Sequence, residues 1–475
     1  MRRHPAGYGP GDATSLLLSA RGLWLAACAA LAVVSLALSP TPHYDPFAWL
    51  TWGREIAHLD MARTLSGPSW KPLPVLITIP LSLLGGVAPA AWLLVARTAG
   101  LLGFVFAYRA GRRLHSPGAG VLAAVALLFI PGFFREMALG GELSLLVPLV
   151  LAAVERHLAG RPAQAVVLAF AAALLRSEMW PFLGLYGAWA GHARAVDRRL
   201  VAVLFLSVPV LWFVPDWVTL GDPLHGAEVA RASTEARTPA LVERPLLEVT
   251  YRGYRLLPEP LHVLAVVGVA LAVRGGQRVV GVLAAAALGW VLLVAVMTAV
   301  GGYPGLSRFL VPAAAVVCLL AAVGAARLVH AAGARWGIAV AGLLALALMP
   351  AAATSAGVIR DEVGMGLDWA RVAGDLPVAV RAAGGAEPVA CRRPVINHAA
   401  QTELAWLLKL PIAGVRTRGD GAGMVFSTDD PIANVAPQVP ADLHRRLVGR
   451  TDEWTVYELG AAPPARGAAR CPQRS

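Results

Sequence analysis

Lysine is nearly missing from this chain. Lys71 and Lys409 are the only two, so almost all of the 41 lysine and arginine residues are arginine. The formal net charge of +12 would suit a nucleic-acid partner, but the chain holds no basic tract. Its arginines are dispersed at the ends of apolar runs, as orientation in a membrane requires, and nucleic acid is set aside as a partner. Charge of either sign is scarce: 15% of residues, against about a quarter in a soluble protein. With 57% hydrophobic residues and a mean hydropathy of +0.62, the composition excludes an ordinary soluble domain and points to a polytopic membrane protein embedded in the lipid bilayer.

Cysteine is also sparse, with four residues and no pair at metal-ligand spacing. Cys28 and Cys318 lie in apolar runs and read as small core residues. Cys391 and Cys471 lie in the polar C-terminal part, and a disulfide between them is expected if that part faces an oxidising compartment. The chain shows no internal repeat and no inverted repeat of interrupted spans, which weighs against a secondary transporter. The first apolar run, about residues 16–39, is too long for a signal-peptide core and lacks a clear cleavage site. It reads as a retained first span.

Apolar runs and short basic loops then give about eleven spans, with the N-terminus cytoplasmic. Residues 40–87 form a long first outer loop containing GPSWKPLP and the short apolar segment LPVLITIPLSLLGG, which fits a re-entrant or interfacial helix. The expected fold class is mainly α: a multi-span membrane domain over residues 1–355, followed by a small α/β extracytoplasmic domain over residues 356–475. In that second part DEVGMGLDWARVAGDLPVAVRAA and AAQTELAWLLKL have helical spacing. PVACRRPVI, AGMVF and EWTVYEL read as strands.

This topology sorts the ionisable residues. Asp45, Glu55, Asp60, Glu136, Glu142, Glu178, Asp216 and Asp222 fall at outer ends or in outer loops, joined by Arg54, Lys71, Arg135, Arg176 and Arg308. Ionisable groups close to a span are costly unless paired, wet or functional, so the gathering suggests one outward-facing site. Asp45 opens HYDPFAWLTWGREIAHLD, where Asp followed by Pro reads as an N-cap. Trp49, Trp52, Ile56 and Leu59 share one face, with Thr51, Arg54, Glu55 and His58 opposite, which describes an interfacial helix with its tryptophans at headgroup depth. A capping carboxylate and a general base are compatible roles, because a held carboxylate suits proton transfer.

The other charges have two readings each. Glu142 at a helix start would meet the positive end of the dipole; alternatively Glu142 or Glu136 orients a substrate hydroxyl. Arg176 and Glu178 could pair at a span end, and Arg308 could snorkel to the interface. Alternatively Arg308, a planar guanidinium, or Lys71, a point charge, contacts a phosphate. His43 beside Asp45 is a candidate pair for a divalent metal, although two residues do not make a site.

A first span, an acid early in a long first outer loop, further acids at the next outer turns and a trailing outer domain: this arrangement resembles the GT-C superfamily of integral-membrane glycosyltransferases over residues 16–355. Its members include lipid A aminoarabinose transferases, protein O-mannosyltransferases and actinobacterial arabinofuranosyl- and mannosyltransferases. LLRSEMWP is similar to Leu-Arg-Pro-Glu segments of several members, with Ser177 in place of proline, and SRFL is similar to an Arg-Tyr-Leu segment before a late span. Many relatives carry an acidic pair where this chain has the single Asp45.

The resemblance implies a polyprenyl-phosphate-sugar donor and a cell-envelope glycan, lipid or protein acceptor. It places Asp45 as the catalytic acid-base residue and Glu136 and Glu142 in the second acidic turn. Arg308, Arg176 or Lys71 would meet the phosphate, stabilising charge on the leaving group. Asp45 would accept the acceptor's proton, and a single displacement would invert the anomeric centre. Trp49, Trp52 or Trp70 would offer the sugar an apolar ring face. The competing readings are a lipid or glycan transporter or flippase, and a non-catalytic membrane assembly protein. A transporter wants ionisable residues near mid-span, whereas these collect at outer ends.

Overall fold

The structure is a computed structural model that describes residues 20–38, 41–59, 67–232, 239–419, 421–430 and 436–460. Asp60 and Cys471 lie outside the described residues. Each expected apolar run lies on a helix. Helix α1 is Ala20–Ser35, and the first loop holds α2 (Tyr44–Ala57) and α3 (Pro72–Ser82). There follow α4 (Ala88–Leu114), α5 (Pro117–Ala126), α6 (Phe133–Leu139), α7 (Leu143–Leu158), α8 (Pro162–Ala173), α9 (Trp180–His192) and α10 (Arg198–Leu220). A polar connection carries α11 (His225–Ala232) and α12 (Pro245–Arg255). Then come α13 (Glu259–Arg274), α14 (Arg278–Gly301), α15 (Val311–Ala331) and α16 (Gly333–Ala382). Among the described residues, five helices are long and apolar enough to cross a membrane, or up to seven if each of two bent pairs is one span.

Local chemistry sets these boundaries. Proline stands in the first turn of α3, α4, α5, α8, α9, α12 and α15, where its missing N–H costs nothing. Helices α4, α7 and α13 carry arginine in their last turn, where it meets the negative end of the helix dipole. Helix α15 is the buried centre of the bundle. It crosses α13 at glycine: a Cβ on Gly268 would stand 2.6 Å from the Leu320 carbonyl oxygen. The chain bends by 80° between α5 and α6, with Gly132 at φ 81, where side-chain-bearing residues are strained.

Two expectations change here. Asp45 is not the N-cap of its helix. His43 holds that position, and Asp45 lies in the first turn. Nor is α2 an interfacial helix, since Phe47 through Gly53 and Glu55 are all buried. Its polar side is covered by a segment far away in sequence, α18 (Gln401–Leu407) and the turn after it. Arg54 donates to the carbonyls of Trp406 and Leu410 at 3.0 and 3.1 Å, and Thr402 Oγ1 donates to the Tyr44 carbonyl at 2.7 Å.

Helix α16 runs unbroken across residues 355 and 356 into the C-terminal part. That part holds α17 (Ala386–Ala390), α18 and a four-stranded sheet: β1 (Pro394–Val395), β2 (Gly423–Ser427), β3 (Arg445–Arg450) and β4 (Thr455–Leu459). The order is β1-β2-β4-β3, with β1 parallel to β2 and the other pairs antiparallel. PVACRRPVI is mostly not a strand: its start is α17, and only Pro394–Val395 pairs. β3 was not expected at all. Trp454 locks the sheet to α16, donating to the Val372 carbonyl at 2.8 Å. Cys391 is disulfide-bonded.

Candidate active site

Five distant segments meet at one buried ionic network. Asp45 comes from the first turn of α2, Lys71 from the N-cap of α3, and Glu142 from the N-cap of α7. Arg176 and Glu178 come from the turn after α8, and Tyr303 from the connection between α14 and α15. Lys71 Nζ lies 2.6 Å from Glu142 Oε2 and 3.7 Å from Asp45 Oδ2. Arg176 spans two carboxylates, reaching Glu142 Oε1 at 2.8 Å and Glu178 Oε1 at 2.7 Å. It also donates to the Tyr303 hydroxyl at 3.0 Å, and that hydroxyl donates to Glu178 Oε1 at 3.0 Å. The Arg176 guanidinium stacks over the Phe309 ring at 3.8 Å.

Lys71, Glu142, Arg176 and Glu178 are all buried, while the Asp45 side chain keeps 31% of its exposure. The site is therefore a buried pair of cations with a reachable carboxylate at its edge. Burial on its own would raise the Glu142 carboxyl, but the charges of Arg176, then Lys71 and Arg308, outweigh it and hold the group at about 2. Burial works against the Arg176 charge, yet Glu142 and Glu178 lift its affinity for the proton above the ordinary value. Burial raises the Tyr303 hydroxyl well above an ordinary phenol. It also lowers His43 to about 4, against the pull of Asp45.

The network opens onto a cavity of about 440 Å³. Lys71, Arg176, Glu178, Asp216 and Arg231 supply its charged lining, with the Tyr303 hydroxyl beside them, and Trp70, Trp180, Trp212, Phe213, Leu224 and Met297 supply apolar surface. Trp180 and Trp212 both donate their indole N–H to the Ala173 carbonyl, at 3.1 and 3.0 Å, so each ring is fixed. A charged end with an apolar wall suits a ligand that is anionic at one end and apolar at the other.

Of the residues expected at the site, Asp45, Lys71, Glu142, Arg176 and Glu178 are brought together, and Trp70 lines the cavity. Trp49 and Trp52 are not presented to a ligand. Both are fully buried: Trp49 packs edge-on against Trp92, and Trp52 lies against Trp70. Glu136 stands outside the network, its carboxylate lying over Gly141, where any side chain would collide with it. Arg308 is exposed beside the Phe309 ring, within the electrostatic reach of His43 and Glu142.

Sequence reasoning missed Tyr303, whose only signal was a polar aromatic in GGYPGLSRF close to Arg308. It also missed Trp180, Trp212 and Phe213 as cavity wall, and Glu362. The Glu362 carboxylate on α16 accepts from the backbone N–H groups of Gly132 at 2.6 Å and Arg135 at 3.0 Å, capping α6. His43 does not assemble a metal site with Asp45: its ring packs edge-on against Trp369, 4.8 Å away. The described ligand group close enough for a metal is Asp222, His225 and Glu228, with ligand atoms within 4.8 Å of one another.

Comparison of the fold with solved structures gives a consistent picture. The chain aligns with ArnT from Cupriavidus metallidurans bound to undecaprenyl phosphate at a TM-score of 0.53 and 15% identity, covering 94% of this chain and 98% of that one. The apo form of the same protein aligns at 0.56 and 16% identity, with the same coverage. An oligosaccharyltransferase from Archaeoglobus fulgidus aligns at 0.43 and 16% identity over 72% of this chain and 53% of its own, too loose an overlap to bear on the site. No protein-family model matches the chain, and no curated protein matches it. The chain thus shares the fold of ArnT, a mainly helical architecture with a small C-terminal α/β part.

Proposed function

We propose that this protein is a membrane glycosyltransferase that moves a sugar from a polyprenyl-phosphate donor to a cell-envelope glycan, lipid or protein acceptor, inverting the anomeric centre, with Asp45 as general base. One observation carries the reading: two buried cations, Lys71 and Arg176, stand at the head of an apolar-walled cavity, and Asp45 lies 3.7 Å from the first of them. The likeness to ArnT, whose structure holds undecaprenyl phosphate, supports the choice of donor lipid.

The charges fit such a reaction. Among Asp45, Glu142, Glu178, Lys71 and Arg176, carboxylates outnumber cations by three to two, so an entering phosphodiester needs a further cation. Two guanidiniums are placed to supply it: Arg308, exposed beside Phe309, and Arg231, which lines the cavity. When the acceptor oxygen bonds to the anomeric carbon, the carbon–oxygen bond to phosphate breaks and its electron pair stays on the phosphate. The phosphate gains one negative charge as Asp45 takes the hydroxyl proton and loses one. The total is conserved, and Lys71 lies beside the group that changes.

The same reading orients the molecule. The arginine-rich ends of α4, α7 and α13 face the cytoplasm, and the C-terminal part lies outside, over the start of α2. The border between the membrane domain and the outer domain then falls within α16, where charge first returns at Arg360 and Asp361.

The test is Asp45→Asn in protein reconstituted into lipid nanodiscs with undecaprenyl-phosphate-linked sugars and an envelope extract. Transfer should fall by about 10²–10⁴-fold while undecaprenyl phosphate is still bound. An unchanged envelope glycan in a host carrying only the variant, at normal protein level, overturns the catalytic role of Asp45. Movement of labelled lipid across the bilayer without a glycan product identifies a transporter instead.

A further inference from the structure

Asp216 is a buried acid that the mechanism above leaves unused. It lies one turn before the end of α10, is 2% exposed and lines the cavity. Its Oδ2 accepts the Gly226 backbone N–H at 2.8 Å, which ties α10 to the first turn of α11. A Cβ on Gly226 would stand 3.0 Å from that same oxygen, so the backbone is placed to hold the carboxylate and little else fits. The second oxygen, Oδ1, has no hydrogen-bond partner among the described residues.

A buried acceptor without a donor costs free energy, and such groups persist where a ligand completes them. The cavity and the proposed donor narrow what that ligand group is. A phosphate is excluded by like charge. A polyprenyl chain has no donor to offer. The sugar is the remaining part of the donor, and its hydroxyls are hydrogen-bond donors sized for a single carboxylate oxygen. Lys71 and Arg176 mark the phosphate end of the same cavity, and the Trp212 and Phe213 rings on α10 neighbour Asp216 along the chain and wall the cavity with it.

We infer that Asp216 reads the transferred sugar, its free carboxylate oxygen accepting a ring hydroxyl of the donor. Asp216 is thus a specificity-determining residue for a hydroxyl-bearing sugar. The inference rests on the reading of the cavity as the site of a polyprenyl-phosphate-sugar.

The experiment compares affinities of nanodisc-held protein for undecaprenyl phosphate and for undecaprenyl phosphate carrying a hexose or a pentose. The wild type should hold at least one sugar-bearing lipid more tightly than the bare lipid. Asp216→Asn, which replaces the accepting oxygen by an N–H donor, should weaken the sugar-bearing lipid by roughly 10- to 100-fold and leave undecaprenyl phosphate unchanged. The retained affinity for the bare lipid reports that the variant is folded. If the wild type binds none of the lipids, the glycosyltransferase reading falls. If it binds them and Asp216→Asn changes neither affinity, or weakens both alike, the inference about Asp216 falls alone. Should the variant not fold, deoxy-sugar donors put the same question to the wild type. Loss of one hydroxyl should cost a similar factor, and equal affinity for every deoxy analogue overturns the inference.

Discussion

Helix α7 carries a paired acid near each end, and the two ends are built differently. At one end Glu142 sits between Lys71 and Arg176, in a group that also holds Glu178 and Asp45. At the other, Glu155 is fully buried and takes ion pairs from Arg109, Arg113 and Arg156. The first end has more carboxylates than cations and opens onto a cavity with fixed tryptophans. The second has three guanidiniums on one carboxylate, and none of these residues lines that cavity. A buried ion pair is therefore not by itself the mark of a site. What distinguishes the Glu142 end is the cavity beside the charges, the partly exposed Asp45, and oxygens of Glu178 and Asp216 without a hydrogen-bond partner among the described residues.

The largest effect should come from breaking the Glu142 end. Arg176→Met leaves Glu142 and Glu178 facing each other without their shared cation, at a cost of about 3–5 kcal/mol of stability. Thermal melting in nanodiscs should fall sharply, and undecaprenyl phosphate binding should disappear with it. The complementary change is Glu155→Gln at the opposite end. It leaves three guanidiniums without their counter-charge and should cost about 2–4 kcal/mol. Lipid binding at the folded temperature should be unchanged. A variant at Glu155 that abolished lipid binding while still folded would erase the distinction between the two ends.

The same contrast shows what the sequence could and could not carry. The apolar helices were legible because apolar composition is a local property: each of the eleven expected runs lies on a helix. Among the described residues, however, only five helices, or up to seven counting each bent pair as one span, are long and apolar enough to cross a membrane. Asp45, Lys71, Glu142, Arg176 and Glu178 were legible as a group because topology alone puts them on one side. The character of α2 was not. Its face of Thr51, Arg54 and Glu55 looks solvent-directed by spacing, but it is covered by α18, more than three hundred residues further on. Trp49 and Trp52 failed as sugar platforms for the same reason: periodicity reports a face, not what lies against it. β3 was missed because RRLVGR has an exposed, basic edge-strand pattern, which the alternation rule reads as loop.

A smaller effect tests how the acid turn is held at the Glu142 end. Glu362 is the distant cap of α6, and Glu362→Ala strips acceptors from the N–H groups of Gly132 and Arg135. The expected loss is about 1–3 kcal/mol. Amide exchange in the peptide covering residues 132–141 should speed up in this variant. It should stay at the wild-type rate in Glu155→Gln, because Glu155 pairs at the far end of α7.

The smallest effect is a proton-linked one, again confined to the Glu142 end. Burial lowers His43 from its ordinary value of 6.5 to about 4, so the fold prefers the neutral ring. The stability this group contributes is complete above pH 6.5 and is lost as pH falls from 6.5 towards 4. Glu142 acts in a different window. Its folded value of about 2 lies below the ordinary 4.5, so its contribution is complete above pH 4.5 and is lost only as pH falls from there towards 2. Between pH 6.5 and 4.5 the slope of melting temperature against pH therefore isolates His43 from Glu142. The His43 share of the change across that window should be on the order of 1 kcal/mol, a value reduced for the partial exposure of the ring. His43→Gln should start lower, because it loses the ring contact with Trp369, and should run flatter through the window. An equally steep profile in His43→Gln would move the proton-sensitive group elsewhere and leave the Glu142 end distinguished by its cavity alone.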